Sequence, residues 1–237
     1  MNWALFSTEG ILFLLRWGHF IFGIAWIGML WYLNFAQGPF FAKADAPTKT
    51  EMTKGLLPRV LFYFRWGAMG TFLTGWTIIL IKFAQAGDAG AALLNSSWSA
   101  TILTGAIMGS VMWFNVWFVI WPRQQKVIAS ANGEKVENLP VLARRAFLAS
   151  RTNTLLSVPL LFFMGAASHL TLRVEAGKVG IWLGIVIVIV GLLEANALLA
   201  DKGPTTKPIE KVSGVIHYGL LLAIIFYVVS ELVLHGK

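Results

Sequence analysis

Six apolar runs, each long enough to cross a lipid bilayer, occupy most of this sequence. A membrane helix needs about 20 mostly apolar residues, and the runs cover residues 11–33, 61–83, 98–121, 152–170, 179–199 and 212–234. Backbone groups in hydrocarbon must be paired within their own segment, so each run is expected to be a helix. The sequence therefore predicts an all-α integral membrane protein, a bundle of about six transmembrane helices in one polytopic domain over residues 1–237.

The distribution of basic residues predicts how these helices are oriented. Thirteen of the 19 Lys and Arg residues fall in the loops after the first, third and fifth runs, and four, Lys237 among them, fall on the opposite side. The positive-inside rule places the richer loops in the cytoplasm and both termini outside. The net charge of +8 is then explained by these loops and by anionic lipid, not by nucleic-acid binding. Within the longest loop, LPVLARRAFLAS is expected to form a short helix on the inner surface.

Histidine in the first and fourth runs suggests a haem site. Ionisable side chains in a bilayer are costly, so each requires an explanation. Arg16 precedes His19 by one helical turn and Gly23 follows it by one, so the three share a face. A haem ligated by His19 would use the space beside Gly23, and Arg16 would meet its propionates. His169 falls at a similar depth, as bis-imidazole ligation of a b-type haem requires. The alternatives are a His19 hydrogen-bonded to a neighbouring helix and an interfacial His169.

A second polar pair is expected in the inner half of the bilayer. Glu194 and His217 lie at matched depth on the fifth and sixth runs, which a short loop joins. Contact between them would relieve the cost of burying either group, in a structural or a proton-handling role. The chain has no cysteine, which excludes covalent haem c, iron–sulfur clusters and disulfides. No catalytic residue is identified.

Small residues and prolines modify the expected helices. The GxxxG spacings at Gly105/Gly109 and Gly180/Gly184 favour close helix packing within the chain. Pro159 is expected to kink the fourth helix, and the third is expected to end at Pro122.

Several segments resemble the membrane domain of bacterial integral-membrane urate hydroxylases. They are RWGHFIFGIAWIGMLWYLNF, RWGAMGTFLTGW, GAIMGSVMWFNVWFVIWPRQQKVI and SRTNTLLSVPLLFFMGAASHL, which follow one another in the family's order. In that family a c-type cytochrome domain follows the membrane domain. This chain resembles a shortened form without that cytochrome. Where family histidines are expected, it carries Leu103, Thr152 and the segment GLLEANAL.

The resemblance implies a bacterial inner-membrane subunit that works in electron transfer. Its expected partners are the lipid bilayer, a periplasmic cytochrome c and other membrane subunits of a larger respiratory or oxidase complex. It would be at most part of an oxidoreductase and would carry at most one b-type haem. The alternative is a cofactor-free structural or assembly subunit. A stand-alone urate oxidase would need several convergent polar groups for a purine, and the sequence does not supply them.

Overall fold

A computed structural model describes residues 3–235, which form helices joined by short turns and loops and contain no strand. Lys237, used in the topology count, lies outside the described residues. The α-helices of this range are α1 (Thr8–Trp31), α2 (Gly38–Lys43), α3 (Ala46–Gly55), α4 (Leu57–Ala86), α5 (Gly90–Leu94), α6 (Ser97–Phe114), α7 (Trp121–Ala131), α8 (Leu139–His169), α9 (Lys178–Leu199), α10 (Lys207–Glu210) and α11 (Val212–Leu234).

Within residues 3–235, six helical segments are long and apolar enough to cross a bilayer: those that contain α1, α4, α6, α8, α9 and α11. Each of the six runs chosen from sequence lies within one of these six segments, except that the fourth run extends one residue past the end of α8. Large apolar side chains, among them Phe20, Ile24, Leu80 and Leu192, point outward from the bundle and are exposed. Lipid is the solvent that accepts such a surface. The predicted fold class is therefore confirmed, and the chain is a multi-pass membrane protein.

Two helices extend past the points where the sequence analysis ended them. A π-helical turn at Tyr32–Gln37 joins α1 to α2, and another at Asn115–Ile120 joins α6 to α7. Each turn comes just before a proline, Pro39 or Pro122. Proline supplies no N–H and clashes with the carbonyl one turn earlier, and a local π adjustment lets the helix continue. The expectation that the third helix ends at Pro122 was therefore wrong.

The segment LPVLARRAFLAS is not a separate surface helix. It forms the first part of α8, which continues without interruption to His169 and passes through Pro159. Arg144 and Arg145 donate from this part of the helix to backbone carbonyls at Asp201 and at Ala197 and Ala200. Because no helix-breaking residue separates the segment from the fourth run, the helix simply begins earlier.

The central helix of the bundle is α8, which carries more buried side chains than any other helix and contacts α6, α7, α9 and α11. Gly105 and Gly109 on α6 face it, since an added Cβ would meet Met164 at 2.8 Å and Leu160 at 3.4 Å. The first GxxxG prediction is thus confirmed. At Gly180 and Gly184 an added Cβ meets nothing within 4 Å. The second pair does not pack within the chain, because it lies on an outward face of α9.

Helices α1 and α4 form a pair at one side of this centre. Gly67 on α4 lies directly against the α1 backbone: an added Cβ would be 2.9 Å from the Trp26 amide nitrogen and 3.1 Å from the Phe22 carbonyl oxygen. At Gly75 it would be 2.9 Å from Cε1 of His19. The glycines of α4 therefore form the surface into which the large side chains of α1 fit.

Candidate functional site

His19 occupies a helix–helix contact. It is half-buried, and its Nδ1 lies 3.1 Å from Oγ1 of Thr74 on α4. The Thr74 hydroxyl itself donates to the Gly70 carbonyl at 2.6 Å, so the histidine must be the donor in this bond. That assignment leaves the lone pair on Nε2. The alternative of a histidine hydrogen-bonded to a neighbouring helix is the arrangement observed.

The space proposed for a haem beside His19 is filled by α4. A Cβ added at Gly23, where the macrocycle was expected, would lie 3.9 Å from Thr71 Oγ1, and the Cε1 edge of the imidazole faces Gly75. Arg16 is exposed. The free Nε2 lone pair suits a metal ligand, but α4 occupies the adjacent face, so the packing does not fit a macrocycle at this position.

His169 does not join His19. It is the last residue of α8 and is exposed. Helices α1 and α8 meet at the Trp31–Ser157 hydrogen bond of 2.9 Å. His19 lies as many residues from Trp31 as His169 lies from Ser157. Counted from this shared contact, the two histidines are at similar depth, in agreement with the prediction. The hydrogen-bonding partner of His19 at this depth, however, is α4 and not α8. Bis-imidazole ligation by this pair stays a prediction from sequence.

Glu194 and His217 are not paired in the structure. Glu194 Oε2 accepts from Asn115 Nδ2 at 2.7 Å, whereas His217 is exposed and its Nδ1 donates to the Ser213 carbonyl at 2.7 Å. The buried positions nearest His217 on α11 are Val215 and Gly219. A residue two positions from these points to the opposite side of a helix. The face of α11 beside His217 packs on α8, since a Cβ added at Gly219 would meet Val158 at 2.9 Å, and the rotation of α11 turns His217 to the exposed side.

The polar groups that do converge form an amide–carboxylate cluster of Asn115, Asn153 and Glu194. Asn115 is fully buried and donates both to Asn153 Oδ1, at 2.9 Å, and to Glu194. Asn153, also fully buried, donates to the Met112 carbonyl at 2.9 Å. The cluster thus connects α8 and α9 to the π-helical turn that Asn115 opens. Local π geometry exposes backbone carbonyls to such side-chain donors and is frequent at functional sites.

Two acceptors of this cluster have no hydrogen-bond partner within the described residues. They are Asn115 Oδ1 and Glu194 Oε1, both buried. A buried acceptor without a donor costs about 1–3 kcal/mol. These two oxygens are therefore the places where a proton, a water molecule or a polar ligand would be bound most favourably.

The sequence analysis missed Asn115 and Asn153 as site residues because it searched the runs for ionisable side chains only. Asparagine inside an apolar run was the available signal, since uncharged amides also need partners in lipid and bond across helices. Arg65 on α4 lies over the Trp121 ring, with its Cζ 3.9 Å from the ring centroid. Among residues 3–235, no group of three or more His, Asp or Glu side chains is placed to bind a metal ion.

The cluster lies in the part of the chain that matches a known family. The family model described as urate oxidase N-terminal matches residues 89–230, which is more than half of the chain and reaches from the start of α5 into α11. No curated protein and no solved structure matches the chain.

Proposed function

Because the chain belongs to the urate oxidase N-terminal family, we propose that it is the inner-membrane subunit of an oxidoreductase system. In this proposal it takes part in electron transfer together with a periplasmic cytochrome c or a larger respiratory complex. The observation that carries the proposal is the position of the amide–carboxylate cluster. Asn115, Asn153 and Glu194 all fall inside the matched residues 89–230, so the family region is also the region where polar groups meet in the membrane.

The role assigned to the cluster is to hold a proton released by the oxidation. Glu194 is the titratable member, and its Oε1 has no donor, while Oε2 is bonded to Asn115. Ionisable groups at such depth are usually retained for function. Asn153 orients Asn115 by accepting one of its two N–H groups. No redox cofactor is assigned to residues of this chain, because α4 packs against the face of His19 where a haem was expected.

The orientation that suits this function places both termini in the periplasm, in line with the Lys and Arg distribution. The absence of cysteine allows a direct test by single-cysteine labelling. We expect Asp88→Cys and Ala176→Cys to react with a membrane-impermeant maleimide in intact cells. Glu134→Cys and Glu137→Cys should react only after permeabilisation. The reverse pattern would invert the topology and place a periplasmic partner on the wrong side.

A cofactor-free structural or assembly subunit is the second candidate, and one observation favours it. Of the histidines in the described residues, His19 is part of a helix contact, and His169, His217 and His235 are exposed. A histidine bonded to a neighbouring helix, as His19 is to Thr74, contributes to helix packing without a cofactor. A subunit of this kind would stabilise a larger complex without taking part in its chemistry.

Purification of the tagged protein from native membranes in mild detergent separates the two candidates. Electron transfer predicts a co-purifying c-type cytochrome, visible in the reduced-minus-oxidised spectrum. The steady-state reduction of that cytochrome in respiring membranes should fall in Glu194→Gln and stay unchanged in the exposed control Glu137→Gln. The structural candidate predicts instead that the complex is lost when the subunit is deleted. It also predicts that Glu194→Gln has no effect at equal protein amount.

A further inference from the structure

A second polar region lies at the Lys- and Arg-rich end of the bundle, separate from the amide–carboxylate cluster. It is a cavity of about 250 Å³ between the π-helical turn after α1 and helices α2, α3, α4, α7 and α8. Its polar lining comes from Asn34, Gln37, Thr53, Gln124, Ser150 and Arg151. The sequence analysis counted Arg151 among the loop residues, but α8 carries it into the interior. We call this space the Arg151 cavity.

Arg151 is a buried cation without a counterion. It is 5% exposed, and none of the ion pairs within residues 3–235 includes it. Its one hydrogen bond is long, 3.4 Å from Nη1 to the Asn34 carbonyl, and its Nε has no partner. The Phe147 ring, 5.0 Å away, offers only weak cation–π attraction. A buried unpaired charge is strongly destabilising, so the guanidinium lacks something that would neutralise it.

Gln37 supplies the same cavity with a second polar group that lacks a hydrogen-bond partner. It is 7% exposed, and its Oε1 is buried without a partner. Asn34 beside it is already engaged, since its amide donates to the Leu30 carbonyl at 2.9 Å and to Ser150 Oγ at 2.8 Å. The cavity therefore presents the Arg151 guanidinium as a cationic fork of donors and, at Gln37, one amide oxygen that is a free acceptor, with Asn34 beside them already engaged.

We propose that the Arg151 cavity binds an oxyanion, a carboxylate or phosphate group, in a fork with the Arg151 guanidinium. Planar guanidinium matches both groups with two parallel hydrogen bonds. A volume of about 250 Å³ admits the anionic group and a few attached atoms. The group can come from a soluble anion or from the headgroup of an anionic lipid, because the cavity lies at the end of the bundle where headgroups are found. The site does not depend on the electron-transfer proposal.

The test is the thermal unfolding of the full chain, followed by tryptophan fluorescence, in nanodiscs of phosphatidylcholine. Inorganic phosphate is added at constant ionic strength against chloride. We expect a saturable rise of several degrees in the unfolding temperature of the wild type. Arg151→Gln should lose this dependence, and without phosphate it should be at least as stable as the wild type. Arg151→Lys should bind about tenfold more weakly, since an ammonium lacks the fork.

The matched control is Arg145→Gln. It removes the same charge from the same helix, but from a guanidinium that already donates to the Ala197 and Ala200 carbonyls at 2.9 and 2.7 Å. Arg145→Gln should keep the phosphate effect at the wild-type affinity. If Arg151→Gln does not fold, comparing Arg151→Lys with Arg145→Gln still decides the matter, because equal affinities in these two would overturn the site.

A second set of nanodiscs distinguishes the sources of the anion. A rise caused by phosphatidylglycerol alone, and lost in Arg151→Gln, assigns the site to a lipid headgroup. A rise caused by inorganic phosphate in phosphatidylcholine assigns it to a soluble anion. Equal shifts in wild type and Arg151→Gln, or no shift under either condition, overturn the proposal. So does a loss of stability in Arg151→Gln that is the same with and without anion, since Arg151 would then be purely structural.

Discussion

The contact at His19 and the amide–carboxylate cluster differ in how many helices they join. His19 is a titratable residue, yet it makes one hydrogen bond, to Thr74, at the edge of the bundle between α1 and α4. Asn115 is uncharged, yet it joins the central helix α8 and the carboxylate of α9. In a membrane, lipid supplies no alternative hydrogen-bond partner for a polar side chain. The number of helices that the side chain joins therefore decides its contribution to the stability of the fold more than its charge does.

The largest effect is expected when the cluster is broken at Asn115. Asn115→Leu keeps the approximate volume but leaves Asn153 Oδ1 and Glu194 Oε2 without their donor. With about 1–3 kcal/mol for each of the two orphaned buried groups, the free energy of unfolding should fall by about 2–6 kcal/mol. Asn132→Leu, at an exposed position after α7, should change it by less than about 0.5 kcal/mol. Thermal or denaturant unfolding in detergent measures both.

A double variant sharpens this result. Glu194→Leu should destabilise because Asn115 loses an acceptor, whereas Glu194→Gln should be mild because an amide oxygen still accepts. Asn115→Leu with Glu194→Leu should lose less stability than the sum of the two single variants, since both partners are removed together. Additive losses would show that the two residues act independently and would remove the cluster as a unit.

The next largest effect on stability is expected from glycine-to-alanine substitutions. They compare a glycine packed against another helix with a glycine on an outward face. Gly67→Ala would push a Cβ against the α1 backbone at Trp26 and Phe22, a strain of about 1–3 kcal/mol. Gly180→Ala meets open space and should be neutral or stabilising by about 0.5–1 kcal/mol, because glycine is a poor helix former. A destabilising Gly180→Ala in native membranes, absent in detergent, would reveal a partner helix packed on α9.

The number of membrane helices and their places in the sequence were predictable because hydrophobic runs of about 20 residues have one stable form in lipid. The depth of side chains was also predictable, as the register between His19 and His169 illustrates. Rotation about the helix axis was not predictable. It depends on packing between distant parts of the chain, and it turned His217 outward and Arg151 inward.

The π-helical turns are the second feature that sequence did not predict. Pro122 was taken as a terminator because proline removes a helix hydrogen bond. Instead, the π-helical turn at Asn115–Ile120 accommodates the hydrogen bond that proline cannot make. The helix then continues as α7. This turn begins at Asn115. The π-helical turn that lets the helix pass Pro122 therefore also positions the central residue of the amide–carboxylate cluster.

His19 offers a smaller effect and a second test of the haem prediction. Its single bond to Thr74 predicts that His19→Ala lowers the free energy of unfolding by about 1 kcal/mol, as does Thr74→Val. A Soret band in protein from haem-replete cells, absent from His19→Ala but kept in Thr74→Val, would instead establish ligation by His19. That result would also require α1 and α4 to separate beside Gly75.

The smallest effect is expected at the exposed ion pair between Arg144 and Glu210, which joins α8 to α10 at 2.5 Å. The hydrogen bond from Arg144 and its positive charge lower the pKa of Glu210 below its usual value. A carboxylate whose pKa is lowered in the folded state stabilises the protein fully above its unfolded pKa, and this contribution is lost as the pH falls through the folded pKa. Solvent screening limits it to less than about 1 kcal/mol. The difference in unfolding free energy between wild type and Glu210→Gln should therefore be small at pH 7 and decrease further as the pH falls through the folded pKa of Glu210. Glu137→Gln is the control, because none of the ion pairs within residues 3–235 includes Glu137. If Glu210→Gln costs as much as Asn115→Leu, charge and not the number of joined helices governs stability here, and the comparison between His19 and the cluster fails.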